Sequence, residues 1–292
     1  MSRPTILQFS DLHLSENIHQ TTLNWEHCLR IVEQEKPDLV VVSGDVVLDN
    51  PDDEAAHDFS RRQLERIPAN WRLVPGNHDL GDSLDQPYQG QPITTGRRQR
   101  FLDHYGKDWW SADIGGWKVV GINSMLLASG LPAEIEQSQW LRQEIDSFDG
   151  PILLFLHKPL CLDSLDEDDT PGWVISREGR QKFADLVQGA NLRAVASGHL
   201  HCHRHVIDGA FEMVWAPATC VVHSATVRGV PKSVGWLSFI LAENELSWRH
   251  NMDAALGPID VTDILSRFGT LRSTPANVLN DLKPKQHALA GI

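Results

Sequence analysis

The chain has 292 residues, 41% hydrophobic and 22% charged, and its 26 basic and 39 acidic side chains leave a formal net charge of −13. This is the composition of an ordinary globular protein with ample length for a core, and the acidic excess argues against a broad nucleic-acid or anionic-membrane footprint. No apolar run approaches the roughly 18 residues that span a bilayer, and the N-terminal stretch is too quickly polar for a signal peptide. The four cysteines (Cys28, Cys161, Cys202 and Cys220) form no C-x-x-C pair, which reads as reduced thiols in a cytoplasmic protein.

Thr5 to Phe9 reads as a buried strand ending in Ser10-Asp11-Leu12-His13. Residues 22–36 follow with Trp25, Leu29 and Val32 at helical spacing and Pro37 as the stop. Leu39-Val40-Val41-Val42 is an uninterrupted run of the kind buried on both faces of a sheet, and it ends in Ser43-Gly44-Asp45. A polar helical stretch at 53–66 leads to a third strand, Arg72-Leu73-Val74, and then to Pro75-Gly76-Asn77-His78-Asp79. Gly76 there suggests a tight backbone turn. Asn-His-Asp alone also makes an ordinary polar turn.

Residues 80–96 lack periodicity and read as a long surface loop. Residues 117–122 form a strand, and 138–148 a helix with Ser138 as its N-cap. The buried strand 152–156 ends in His157-Lys158-Pro159, followed by an acidic loop with Asp163, Asp166, Glu167, Asp168 and Asp169. A helix over 176–188 precedes the short strand 194–196, which ends in Ser197-Gly198-His199-Leu200-His201. Strands are expected at 205–208, 212–216, 235–241 and 245–249. Beyond a catalytic domain over 1–252, the segment 253–292 reads as a helical extension: 260–268, then 275–282 with Thr274 as cap. It would either pack across the domain or dock on a second subunit in a homodimer.

Alternating strands and helices give an α/β protein, in which ligands gather beyond the carboxyl ends of the strands. Asp11, His13, Asp45, Asn77, His78, His157, His199 and His201 all stand at such ends. Imidazole and oxygen donors without thiolate suit zinc, manganese or iron. Asp11/His13 and His199/His201, at i, i+2, face the same way if their segments are extended. The set exceeds one tetrahedral site, and two ions sharing a carboxylate such as Asp45 account for it. Such a centre, carrying about two net positive charges, binds phosphate oxygens and makes a hydroxide nucleophile near neutral pH.

D-x-H, G-D, G-N-H-D, H and G-H-x-H, in this order from Asp11 to His201, resemble the calcineurin-like metallophosphoesterase superfamily. The resemblance implies two mixed β-sheets packed face to face and flanked by helices, with a dinuclear centre. It assigns Asp11, His13, Asp45 and His201 to one ion, and Asp45, Asn77, His157 and His199 to the other. His78 is similar to the family's catalytic histidine, assisting the leaving oxygen, with Asp79 orienting it. Within the superfamily the chain looks most like bacterial class III cyclic-nucleotide phosphodiesterases, on its size, on Ala216-Pro217-Ala218-Thr219-Cys220 and on Gly235-Trp236-Leu237. It departs from that group at Lys158, where a second histidine is usual, and at Val46.

The expected activity is therefore phosphodiester hydrolysis by attack of metal-bound hydroxide, with 3',5'-cyclic nucleotides as candidate substrates. A phosphomonoesterase or protein phosphatase of the same superfamily is the alternative, and a non-catalytic scaffold a further one. The protein-phosphatase pattern G-D-x-x-D-R-G is absent, and no basic stripe fits a nucleic-acid polymer. The acidic loop would favour a monoanionic diester if it overhangs the site. His223 is a candidate substrate contact at the rim. His57, His203 and His205 read as solvated, and Arg97, Arg98 and Arg100 as the exposed face of a helix.

Overall fold

The computed structural model describes residues 3–83, 90–209, 211–223, 225–243 and 245–268. The chain runs β1 (Thr5–Phe9), α1 (His19–Glu35), β2 (Leu39–Val42), α2 (Glu54–Leu64), β3 (Trp71–Leu73), α3 (Asn77–Leu80), α4 (Thr95–Tyr105), β4 (Trp110–Ile114), β5 (Trp117–Gly121), α5 (Pro132–Asp146), β6 (Ile152–Phe155), α6 (Arg177–Leu186) and β7 (Leu192–Ser197). It continues through β8 (Arg204–Asp208), β9 (Phe211–Trp215), β10 (Val221–Val222), β11 (Trp236–Leu241), β12 (Leu246–Asn251), β13 (Ile259–Asp260) and α7 (Val261–Phe268).

Two mixed sheets result, ordered β12-β11-β1-β2-β3 and β4-β5-β6-β7-β9-β8, with a small β10-β13 pair beside them. Alternation along the strands builds the layers. Leu39 and Val41 of β2 meet Leu153 and Phe155 of β6 in the core between the sheets, while Val40 and Val42 turn outward to Trp25 and Leu29 of α1. On the other flank Leu154 of β6 packs with Leu141 and Ile145 of α5 and Phe183 of α6. Each such fully buried side chain contributes about 1.5–3 kcal/mol. The two-sheet α/β architecture expected from the sequence is the observed one.

β1, β2 and β3 are mutually parallel, as are β5, β6, β7 and β9, so their carboxyl ends gather on one side. Gln8, buried between the sheets, ties these ends together. Its Nε2 donates to Ser43 Oγ at 2.8 Å and to Ser197 O at 3.1 Å, linking the ends of β2 and β7.

Three local expectations are corrected. The fifth helix begins at Pro132, after Leu131, and Ser138 lies inside it; proline at a first helical position was the stronger signal. The loop expected at 80–96 is trimmed at both ends, because α3 reaches Leu80 and α4 starts at Thr95 capped by its neighbour Thr94; Asp82 bridges Pro92 within it, and residues 84–89 lie outside the described residues. β4, β10 and β13 were not anticipated. The helix expected at 275–282 lies outside the described residues. Among the described residues no helix is long and apolar enough to cross a membrane.

Candidate metal centre

The segments leaving β1, β2, β3, β6 and β7 are bonded to one another before any ligand is considered. Asp11 N donates to Gly44 O at 3.1 Å, His13 N to Asp45 O at 2.9 Å, and Gly198 N to His157 O at 2.9 Å. The glycines permit this closeness. A Cβ on Gly76 would stand 2.1 Å from Asp45 Oδ1, and one on Gly198 1.7 Å from Ser10 Oγ. The turn explanation for Gly76 is thus replaced by a steric one, since its φ of −101° is open to any residue.

The i, i+2 pairs do not lie on extended backbone. Asp11, His13, Asp45, His199 and His201 all adopt positive φ, between 45° and 68°. They are five of the eight non-glycine residues that do so among those described, and such conformations gather at functional sites.

Two donor groups form. Asp11, His13 and His201 bring ligand atoms within 4.8 Å of one another, and so do Asp45, His157 and His199. In the first, His201 Nε2 is 3.2 Å from Asp11 Oδ1 and 3.2 Å from His13 Nε2. In the second, His157 Nε2 is 3.2 Å from both Asp45 Oδ2 and Asn77 Oδ1. Asp45 Oδ2 also faces the first group, 4.0 Å from His13 Nε2.

Each imidazole is fixed from behind by a backbone carbonyl, which can only accept. His13 Nδ1 donates to Leu48 O at 2.9 Å, His201 Nδ1 to Val221 O at 2.5 Å, His157 Nδ1 to Ser43 O at 2.7 Å, and His199 Nε2 to Gly172 O at 2.8 Å. This sets the tautomer and points the other nitrogen inward, the arrangement metal-binding histidines use. Burial first, then the charges of His78 and His201, hold His13 down to about 4, so its inward nitrogen is a bare lone pair at neutral pH.

Charge balance points the same way. Burial opposes ionisation of Asp45, yet His157 and His78 hold it well below the usual carboxylate range; His201 and His157 do the same for Asp11. In turn, despite burial, Asp45 raises His157 and His78 to about 9 each. A pocket of carboxylates, an inward lone pair and protons retained by its histidines fits cations, and these donors suit two oxygen- and nitrogen-preferring ions.

His78 stands over the centre, its ring Nε2 3.8 Å from Asp45 Oδ2 and its backbone N–H donating to Asp45 Oδ1 at 2.9 Å. The acid at its Nδ1 is Asp49, with Oδ1 at 3.4 Å and the carbonyl at 3.3 Å. Asp79, expected to orient His78, directs its carboxylate to backbone amides: Val46 N at 2.8 Å, Val47 N at 3.1 Å and Gly76 N at 2.8 Å. Burial and the Asp45 charge push Asp79 up to about 7. The structure therefore gives it the task of clamping the β2 and β3 loops together. His223 lies beside the first group, its ring 6.3 Å from that of His201, and burial drives it down to about 3.

The remaining candidates lie elsewhere. His57 is fully buried rather than solvated, its ring nitrogens at Tyr105 Oη (3.1 Å) and Pro51 O (3.2 Å). His203 donates to Trp215 O and packs against His250 with the rings tilted, and His205 pairs with Glu212. Arg97 pairs with Asp52, Arg98 with Asp108, and Arg100 with Glu54. Lys158 turns inward to Asp82 at 2.7 Å, both side chains at most 1% exposed. In the acidic loop Asp163 lies between Arg204 and Arg228, and Glu167 accepts from the amides of Leu162 and Asp163.

A two-sheet α/β sandwich carrying paired histidine–carboxylate groups at its strand ends defines a metallophosphoesterase. The family model described as calcineurin-like phosphoesterase matches residues 4–203, and the chain belongs to that family. It is 31% identical over 199 residues to the serine/threonine-protein phosphatase CPPED1 of Rattus norvegicus, covering 61% of this chain and only 60% of that protein's length. Over 125 residues it is 30% identical to a probable cyclic nucleotide phosphodiesterase of Fibrobacter succinogenes, covering 43% of each. In fold it is similar to a dimetal phosphatase from Danio rerio, with a TM-score of 0.58 at 12% identity, over 86% of this chain and 96% of that one.

Proposed function

We propose that the protein is a dinuclear-metal phosphodiesterase acting on small-molecule phosphodiesters, with 3',5'-cyclic nucleotides among the candidates. The observation that carries this reading is the position of Asp45 Oδ2, which faces His157 at 3.2 Å, His78 at 3.8 Å and His13 at 4.0 Å. One carboxylate is thus shared by both donor groups and the candidate acid. Asp11, His13, Asp45 and His201 would hold one ion, and Asp45, Asn77, His157 and His199 the other, with manganese, iron or zinc as the candidates. When bound, a pair of such ions activates water as a nucleophile and neutralises phosphoryl oxygens. His78, with Nδ1 against Asp49 and Nε2 turned toward the Asp45 carboxylate, is the donor for the departing oxygen.

Diester preference is supported by the engagement of Arg97, Arg98 and Arg100 with carboxylates, which withdraws these three from recognising the second charge of a monoester. Repulsion by the acidic loop is weaker support than its composition suggested, because Asp163 is already paired with arginines. The likeness to the rat protein favours a second reading, a protein phosphatase. Metal analysis with kcat/KM for matched aryl mono- and diesters, cyclic AMP, cyclic GMP and phosphopeptides separates them. A clear monoester or phosphopeptide preference overturns the diester reading; absence of bound metal and of turnover overturns the enzyme. The four buried free thiols support a cytoplasmic setting, and light scattering tests a homodimer through residues 253–292.

A further inference from the structure

We propose that the C-terminal segment β13–α7, which lies beyond the span matched by the family, positions one of the two metal groups and not the other. The inference rests on the dinuclear reading above. Its basis is an asymmetry in what holds the four imidazoles.

His201 is fixed by Val221 O and His13 by Leu48 O. Val221 belongs to β10, whose partner strand is β13, with Val221 opposite Ile259 and Val222 opposite Asp260. Ile259 N donates to Cys220 O at 3.1 Å, closing that pairing next to the carbonyl that His201 uses. Leu48 packs into a small apolar cluster with Ile18, Cys220, Val221, Ile259, Val261 and Ile264. Ile264 of α7 is 2% exposed there. Both carbonyls behind the Asp11/His13/His201 group therefore come from residues packed on the C-terminal segment.

The same segment is secured to α1. Asn24 Nδ2 donates to Thr219 O at 2.9 Å and Gly257 O at 3.0 Å, while Gly257 N donates to Asn24 Oδ1 at 3.1 Å. Thr219 in turn reaches Ser10 O, next to Asp11, through its N–H at 3.0 Å and its hydroxyl at 2.9 Å. All three members of the group have neighbours tied to this assembly.

The other group is held differently. His157 leans on Ser43 O and His199 on Gly172 O. Ser43 follows β2 and is bonded to β1 through its N–H to Phe9 O and by accepting from Ser10 Oγ at 3.3 Å, and Gly172 lies in the loop before α6. Neither is a member of the cluster that takes in β13 and α7. Groups that orient metal-binding histidines change affinity by roughly ten- to a hundredfold when disturbed, so loosening β13–α7 should act on one ion.

The test uses the full chain and manganese binding by equilibrium dialysis. Ile264→Asp places a charge in the cluster, Ile259→Pro removes the N–H to Cys220 O, and Ile264→Val is the conservative control. In both disruptive variants one equivalent should keep the parental Kd while the other weakens by about tenfold or more; Ile264→Val should match the parent. Circular dichroism and the thermal midpoint report whether the fold persists. Two equivalents at parental Kd in both disruptive variants, or equal weakening of both equivalents in a folded variant, overturn the inference. If Ile264→Asp unfolds, Ile259→Pro decides. A parental chain that binds fewer than two equivalents overturns the dinuclear reading itself, and the inference with it.

Discussion

Asp49 stands against His78, its carboxylate 3.4 Å and its carbonyl 3.3 Å from Nδ1, so the opposite nitrogen is turned toward Asp45 and the metal groups. His78→Ala should keep both metals and lower kcat by about 10²–10⁴, the range for losing a general acid. Asp49→Asn should cost less, retain both metals and leave KM nearly unchanged. Metal content with steady-state kinetics checks both, and loss of metal from His78→Ala would place His78 among the ligands.

Asp45→Ala should behave differently from either. It removes a carboxylate that faces both groups and should abolish binding of at least one ion. Elemental analysis of the purified variant measures this directly.

Metal removal should reveal how far the ions stabilise the fold. An ion bound only by the native state at a hundred times its Kd adds about 2.7 kcal/mol. Chelation should therefore lower the thermal midpoint by several degrees, and readdition of manganese should restore it. An unchanged midpoint would mean that the centre is empty in solution.

Asp79 accepts three backbone N–H groups at full burial. In Asp79→Ala those donors lose their partner, at about 1–3 kcal/mol each before relaxation. We expect about 3 kcal/mol of destabilisation by urea unfolding. Asp79→Asn, which keeps one acceptor oxygen, should lose less.

His57, which belongs to neither donor group, sets a pH dependence of its own. Burial holds it at about 4 in the folded chain against an ordinary 6.5. Between those values the unfolded chain binds the extra proton, so stability is fully present above pH 6.5 and falls as pH drops toward 4, by up to roughly 3 kcal/mol. His57→Gln should be less stable than the parent at pH 7.5, and the gap should narrow on acidification. Urea unfolding of the chelated forms at several pH values checks the sign. A gap that widens refutes it.

The gathering of Asp11, His13, Asp45, Asn77, His157, His199 and His201 was legible because each follows an apolar run, so strand ends and polar clusters coincide in the sequence. The supports were not, since Leu48, Val221, Ser43 and Gly172 act through carbonyls that carry no residue-type signal. Asp49 was visible, but one residue beyond the second aspartate of the G-D-x-x-D spacing, and only the bend after Asp45 brings it to His78. His57 misled because a polar helix suggests solvent, whereas α4 covers it with Tyr105. Edge strand β4 carries a weak sequence signal, because only its end residues Trp110 and Ile114 are large and apolar, and Ser111 and Asp113 break the run between them.

The left-handed backbone at Asp11, His13, Asp45, His199 and His201 has a consequence for the lineage. Each such residue costs about 1 kcal/mol that glycine would not, so the centre is held in a conformation its own residues resist. A descendant released from catalysis could gain robustness merely by drifting to glycine or asparagine there. Selection for heat tolerance alone would erode these five positions early, and their retention in a laboratory lineage would register continuing demand for the reaction.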